Sequence, residues 1–344
     1  MAQVKKLVLH HLLSIVMNKP RLKRLLGSLS GNRLNRAWYS LGLHMHMTER
    51  RRVAILSYSD IEPDLARQVL WGDFWFKHEM IKAVGSLGFA VVDLDSRYRP
   101  DIVIHLFGQP VNPSLFSTAY KILWIHSNPD KITPAFLAQY DRIYCISELF
   151  ANWIREKGFE CIVVQQGTSK RPIPGLACQH DVTFVGNARA GLGGIRQIVE
   201  DMGQPDCDFK VWGTGYRSLN KRYWAGEYVD NNELSVLYGS SRISLNDHTS
   251  AMAAAGFINP RVFDILASGG FCISDPNPTI TQVFGDSVPL YTSPQHLRDL
   301  VEFYLRHPQE RGVLAKEGNS IANQYTWAKV AASLLDGISA DYDD

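Results

Sequence analysis

From Arg51 onward the chain alternates short apolar runs with segments whose apolar residues recur at helical spacing. RVAILSY, FAVVDLD, DIVIHLFG, KILWIHSN, DRIYCIS and ECIVVQQG are short and rich in β-branched residues, as strands buried on both faces are. Between them FKHEMIKAVGSLG and ELFANWIREKG carry the i, i+3, i+4 repeat of amphipathic helices. KRPIPGLACQH then breaks the pattern with Pro and Gly and reads as a linker. Alternation restarts with DVTFVGN, FKVWGTG, RISLND and FCIS as strands. IRQIVEDMG, NNELSVLYGSS and NPRVFDILA are helices, and QHLRDLVEFYLRHPQERGVLAKEGNSIANQY closes as two more. Such alternation builds parallel sheets covered by helices. The expectation is an α/β protein of two Rossmann-like halves facing a cleft, with ligands at the C-terminal ends of the strands. The segments divide as an N-terminal extension (1–50), a first half (51–172), a second half (173–325) and a final helix with an acidic tail (326–344) that returns to the first half.

One segment, NPRVFDILASGGFCISD, joins the pattern to chemistry. Asn259 suits an N-cap and Pro260 the first helical position. Val262, Phe263, Ile265 and Leu266 form a broad apolar face, and Gly269-Gly270 ends the helix. Arg261 and Asp264 stand in its first turns, where a helix N-terminus attracts anions. Asp264 reads either as an acid favoured by the helix dipole or as a ligand-binding carboxylate.

Composition narrows the choice. The 344 residues are 45% apolar and 20% charged, ordinary for a globular protein of two domains. Five scattered cysteines contain no C-x-x-C pair, which argues against a zinc site or disulfide framework and for a reducing compartment. The net charge of +2 is uneven: residues 1–52 hold eleven Lys/Arg and one acid, so the remainder is net acidic. A general nucleic-acid binder is not built this way. In the basic segment Leu9, Leu12, Leu13 and Val16 recur at helical spacing between lysines and arginines. The run is too short to span a bilayer and lacks a cleavage site. It suits a helix on an anionic membrane surface, a helix docked on the protein, or self-association.

The order of motifs resembles the GT-B-fold, sugar-nucleotide-dependent glycosyltransferases, in particular the "glycosyl transferases group 1" set and its CgeB-like branch. KILWIHSNPD resembles the strand ending in a histidine near the donor sugar. DRIYCIS resembles the strand ending in serine, and VVQQGTSKRP the stretch leading into the interdomain linker. TFVGNARAGLGGIRQI resembles the first strand and glycine-rich loop of the donor half, and FKVWGTG its next strand. NPRVFDILASGGFCISD resembles the helix whose acid binds the nucleotide ribose, and YTW the start of the final helix. The resemblance implies a cytoplasmic transferase that retains anomeric configuration, needs no metal, and acts on a UDP- or GDP-sugar. Its acceptor would be a glycan, a glycolipid or a protein, as in bacterial surface polysaccharide synthesis. The resemblance implies no separate cofactor; the charge pattern excludes nucleic acid, and on the membrane-surface reading the basic segment would hold the protein peripherally on the inner face of the membrane.

The residues can do this chemistry. A departing nucleoside diphosphate develops negative charge, which donors aimed at its oxygens stabilise. Arg189, Arg196 and Arg261 are candidates to clamp it, with Gly191, Gly193 and Gly194 admitting backbone N–H groups. Gly186, Asn187, Gly213 and Asn259 border the same strand ends, and Asp264 is the candidate ribose partner. His126 could contact the sugar or departing phosphate. Asp73 or His78 could serve as general base if the reaction inverts. The family pairs two acids separated by seven residues, and the first position here is Gly256, so Asp247 and His248 are candidates to share that role. Asp93-Leu94-Asp95 is a D-x-D in the wrong half for a metal-diphosphate site and reads as a strand end. Rival readings are a nucleotide-sugar epimerase and a non-catalytic nucleotide-sugar-binding scaffold.

Overall fold

The computed structural model describes residues 49–61, 72–93, 98–109, 118–188, 195–216 and 218–341. The basic segment, the glycine-rich loop with Arg189, and Asp95 therefore lie outside the described residues.

The first half contains β1 (Arg52–Ser57), β2 (Ala90–Val91), β3 (Ile102–Phe107), β4 (Tyr120–Ile125), β5 (Arg142–Cys145) and β6 (Ile162–Val163). They form one parallel sheet in the order β2-β1-β3-β4-β5-β6. Its helices are α1 (Gly72–Ser86), α2 (Pro134–Leu137) and α3 (Glu148–Glu156). Ile104 pairs with Ile55 on one side and Ile122 on the other, and every residue of β3 is buried. That is why DIVIHLFG shows no polar alternation. FAVVDLD and ECIVVQQG yield only two-residue strands, because each lies at an edge with one neighbour to pair with.

The second half contains β7 (His180–Val185), β8 (Phe209–Trp212), β9 (Trp224–Gly226), β10 (Ser241–Asn246) and β11 (Cys272–Ser274), parallel in the order β11-β10-β7-β8-β9. Its helices are α4 (Gln197–Met202), α5 (Leu234–Gly239), α6 (Ser250–Ala254), α7 (Pro260–Ala267), α8 (Pro278–Phe284), α9 (Pro294–Arg306) and α10 (Pro308–Ala322). Two apolar cores flank this sheet, one holding Ile198, Leu297 and Val301 and the other Phe263, Phe284 and Ala322. The pattern misses β9, whose three residues carry no period, and α6, whose AMAA sequence sits in what reads as a loop.

α11 (Trp327–Leu334) packs on α1 and completes the first core, with Trp327 set against Phe76 at 4.8 Å and Trp124 at 6.0 Å. The chain leaves the first half near Gly167 and returns near Tyr325, and the two passages touch. Thr168 N–H donates to the Tyr325 carbonyl at 3.1 Å, and a Cβ on Gly167 would stand 2.6 Å from the Trp327 nitrogen. The second half also lends Met252 and Phe257 to the first core, where Phe257 meets Phe150 edge-on at 5.2 Å.

Candidate active site

A cavity of about 260 Å³ lies between the halves. From the second half it is walled by strand ends and helix starts: Gly186 and Asn187 after β7, Trp212 and Gly213 at the end of β8, and Asn259, Arg261 and Asp264 at the start of α7. From the first half α1 presents Gly72, Trp75, Phe76 and Glu79, whose i, i+3, i+4, i+7 spacing makes one stripe. The linker adds Gly167, Ser169 and Lys170.

The start of α7 is fixed by a chain of hydrogen bonds. The Asn259 side chain caps the helix, accepting from Arg261 N at 3.0 Å. Asn259 N–H donates to His248 Nε2 at 2.9 Å. That assigns the proton to Nδ1, which donates to Asp275 Oδ1 at 2.5 Å. Asp275 Oδ2 accepts from His248 N at 2.8 Å. Burial works to raise the Asp275 carboxyl, but the bonds to His248 outweigh it and hold the group below the ordinary carboxylate range.

Arg261 and Asp264 stand three residues apart on α7 and both face the cavity. Arg261 Nη1 donates to Asn246 Oδ1 at 2.7 Å, and its guanidinium lies 4.8 Å from the Phe184 ring centroid. Gly186 leaves it room, since a Cβ there would sit 2.7 Å from Nη2. Gly213 has φ 150°, and a Cβ on it would meet the Gly186 carbonyl at 2.3 Å. Asn187 Oδ1 accepts from Thr214 N at 3.0 Å and joins the two strand ends. Asp264 Oδ1 accepts from Thr168 Oγ1 at 2.6 Å. Burial raises its pKa, against the pull of Lys170, Thr168 and Arg261, while Glu79 adds to the rise. Lys170 is buried, donates to the Asn231 carbonyl, and has its pKa lowered by that burial.

The other sequence candidates fall elsewhere. Arg196 is buried and bound by Asp247, with Nε donating to Oδ2 at 2.9 Å and Nη2 to Oδ1 and to the Asp247 carbonyl. It does not line the cavity: Asp247 takes Nε and Nη2, and Nη1 donates to the Asn187 carbonyl at 3.4 Å. Asp247 and His248 do not line it either: one holds Arg196, the other fastens α7. Gly256 has φ 68°, and a Cβ would come within 2.7 Å of Thr279 Oγ1 and 2.8 Å of Ser147 Oγ, so an acid there would be strained and would have to displace both side chains. His126 is buried behind Phe76 and Trp124, ring centroids at 4.8 and 5.2 Å, and burial lowers its pKa to about 3. It does not face the cavity as a strand-end reading expects. His78 is exposed and stacks on Phe74. Asp73 does not line the cavity, although Gly72 beside it does; its carboxylate packs on Gly108, and burial pushes it up to about 6. Asp93 is exposed after β2, and its D-x-D partner is outside the described residues. Among the described residues no three His, Cys, Asp or Glu side chains converge as a metal site, and no helix is long and apolar enough to cross a membrane.

Sequence reading missed Glu79, Lys170, Thr168, Trp75 and Tyr228. The last two hydrogen-bond across the cleft between the halves, and both line the cavity. Only the stripe on α1 carried a readable signal.

Two parallel sheets, each wrapped in helices, hold one cleft between their strand ends and are joined by a linker and a returning final helix. The fold is GT-B. Solved structures share it at low identity. Sucrose-phosphate synthase from Thermosynechococcus elongatus is 12% identical, over 83% of this chain and 97% of that one, with a TM-score of 0.61. Anabaena HepE in complex with UDP-glucose is 10% identical, over 83% and 98%, with a TM-score of 0.57. T4 phage BGT with its UDP-glucose substrate is 15% identical, over 83% and 99%, with a TM-score of 0.53. Residues 189–336 of this GT-B chain match a family model described as glycosyl transferase-like. No curated protein sequence matches the chain.

Proposed function

We propose that the protein is a glycosyltransferase that binds a nucleotide-sugar in the cavity between its halves. One observation carries this reading: Arg261 and Asp264 project from the same helix start into one cavity, a cation beside a carboxylate. A nucleoside diphosphate presents that pair of needs, anionic oxygens beside two ribose hydroxyls. Arg261 holds the diphosphate over Gly186 and Gly213, whose missing side chains let the backbone approach. Asp264 accepts from the ribose, and Thr168 keeps its carboxylate turned to the cleft. Trp212, Tyr228 and Tyr238 line the same cavity and offer surfaces for the base. The glycosyl transferase-like match over the second half and the UDP-glucose held by two GT-B neighbours support this reading.

The donor is a UDP- or GDP-sugar and the acceptor a surface glycan, glycolipid or protein, with a CgeB-like placement within group 1. The reaction uses no metal. The basic residues before Arg51 attach the protein to an anionic membrane surface, so vesicle binding would weaken as salt rises.

A thermal-shift panel of UDP, GDP, CMP and dTDP tests the donor site. A nucleotide at about 100 times its Kd should stabilise the fold by about 2.7 kcal/mol. Arg261→Ala should abolish the shift. No stabilisation by any of the four would refute the reading.

A further inference from the structure

Two carboxylates line the cavity from opposite halves, and each has one oxygen already tied down. Asp264, on α7, accepts from Thr168 Oγ1 through Oδ1 at 2.6 Å. Glu79, on α1, ends the stripe that begins at Gly72. Its Oε1 accepts from Lys82 Nζ at 3.1 Å. The Lys82 side chain is 59% exposed and that of Glu79 only 18%, so the lysine holds the acid from the solvent side. No described residue donates to Asp264 Oδ2 or to Glu79 Oε2. One carboxylate oxygen is therefore left over on each wall.

Two acids on one cavity repel, and Glu79 works to raise the Asp264 carboxyl. Lys170 offsets this. It comes from the linker, lines the same cavity and is buried, with its ammonium anchored on the Asn231 carbonyl. Both acids favour its charged form, and its charge in turn pulls Asp264 down. A buried ammonium is costly without anions beside it, so the amine and the two acids support one another. Glu227, the third acid on the wall, is exposed after β9 and adds nothing to the charge felt by Asp264 or Lys170. An ionised carboxylate only accepts hydrogen bonds. The cluster thus calls for a ligand with two neighbouring donors, one for each wall.

We propose that Glu79 is a second ribose-binding carboxylate, so that the two ribose hydroxyls of the nucleotide are divided between the halves, one donating to Asp264 and the other to Glu79. This rests on the cleft being a nucleotide-sugar site with Asp264 at the ribose. A cis-diol presents its O–H groups side by side, and hydrogen bonds to charged acceptors are among the stronger ones. The arrangement selects for ribose, because a deoxynucleotide leaves one ionised oxygen in the cleft without its donor. It also makes the nucleotide a tie between α1 and α7, which belong to different halves.

The test is isothermal titration with UDP and GDP, and with the 2′-deoxy and 3′-deoxy forms of whichever binds. Glu79→Gln should weaken the ribonucleotide about 10- to 150-fold while the melting curve of the unliganded protein stays intact. Glu79→Asp keeps the charge but withdraws it by one methylene, and it should lose affinity as well. Wild type should bind both deoxy forms more weakly than the parent. Glu79→Gln should lose its discrimination against one of them, and Asp264→Asn against the other. A Glu79 that acted only through its charge on Asp264 would not follow the hydroxyls in this way. Wild-type affinity in Glu79→Gln would overturn the proposal. So would an Asp264→Asn variant that loses both discriminations while Glu79→Gln keeps both. Failure of wild type to bind UDP or GDP would instead overturn the nucleotide-sugar reading, and this inference with it.

Discussion

Thr168 donates its hydroxyl to Asp264 at 2.6 Å, so an acid of the second half is aimed by a residue that has only just left the first sheet. The donor exists in the linker and nowhere on α7. Replacing Asp264 with Asn keeps a side-chain oxygen for Thr168 but removes the charge offered to a ribose. Loss of charged hydrogen bonds costs about 1.5–3 kcal/mol, so nucleoside diphosphate affinity should fall roughly 10- to 150-fold. Isothermal titration beside melting curves measures it. Equal affinity with a lowered melting temperature would make Asp264 a structural acid.

Asp247 should behave in the opposite way. It is 1% exposed and carries the buried Arg196, with Arg261 3.9 Å away. Removing one partner of a buried pair leaves the other charge without compensation, at about 3–5 kcal/mol. Asp247→Ala should therefore lose that much stability in chemical denaturation. A variant that denatures like wild type would show that Arg196 finds other partners.

Asp73 gives a pH signature that needs no substrate. Its folded pKa of about 6 lies above the ordinary 3.8, so the folded state prefers the protonated acid. Ionisation then costs stability as pH rises from about 4 through 6, up to about 3 kcal/mol. Asp73→Asn should be more stable than wild type at pH 8 and indistinguishable near pH 3.5. Asp275 has the reverse sign: its depressed pKa contributes stability above about pH 4 that is lost in acid. Denaturation at several pH values separates the two.

Gly256 answers whether the missing acid can be restored. With φ 68° and Thr279 and Ser147 pressed against it, Gly256→Asp should destabilise by at least about 1–3 kcal/mol and add no activity. A stable, more active variant would show that the loop after β10 can rearrange.

Much of the fold was legible because it rests on local pattern. Runs such as DIVIHLFG are apolar because both faces of β3 are covered, and Asn259-Pro260 with Gly269 marks the ends of α7. The site was legible only where a helix start displays its own residues, as with Arg261 and Asp264. Arg196 misleads because its partner, Asp247, is 51 residues away, a distance at which spacing carries no information. His126 ends its strand as expected, but Phe76 from α1 stands between it and the cleft. Lys170 and Glu79 could not be placed, since each enters the cavity through the packing of one half on the other.

Met252 and Phe257 belong to one sheet by chain order and to the other by packing. An apolar side chain pulled from such a core costs a few kcal/mol, comparable to a large share of a domain's whole stability. Cutting the chain at the linker would leave the first half with two holes and without α11, so the first half is not an independent folding unit. The same staples restrict how the cleft can open. Any opening that parts Trp75 from Tyr228 must either keep Phe257 seated on Phe150 or pull it out of that core.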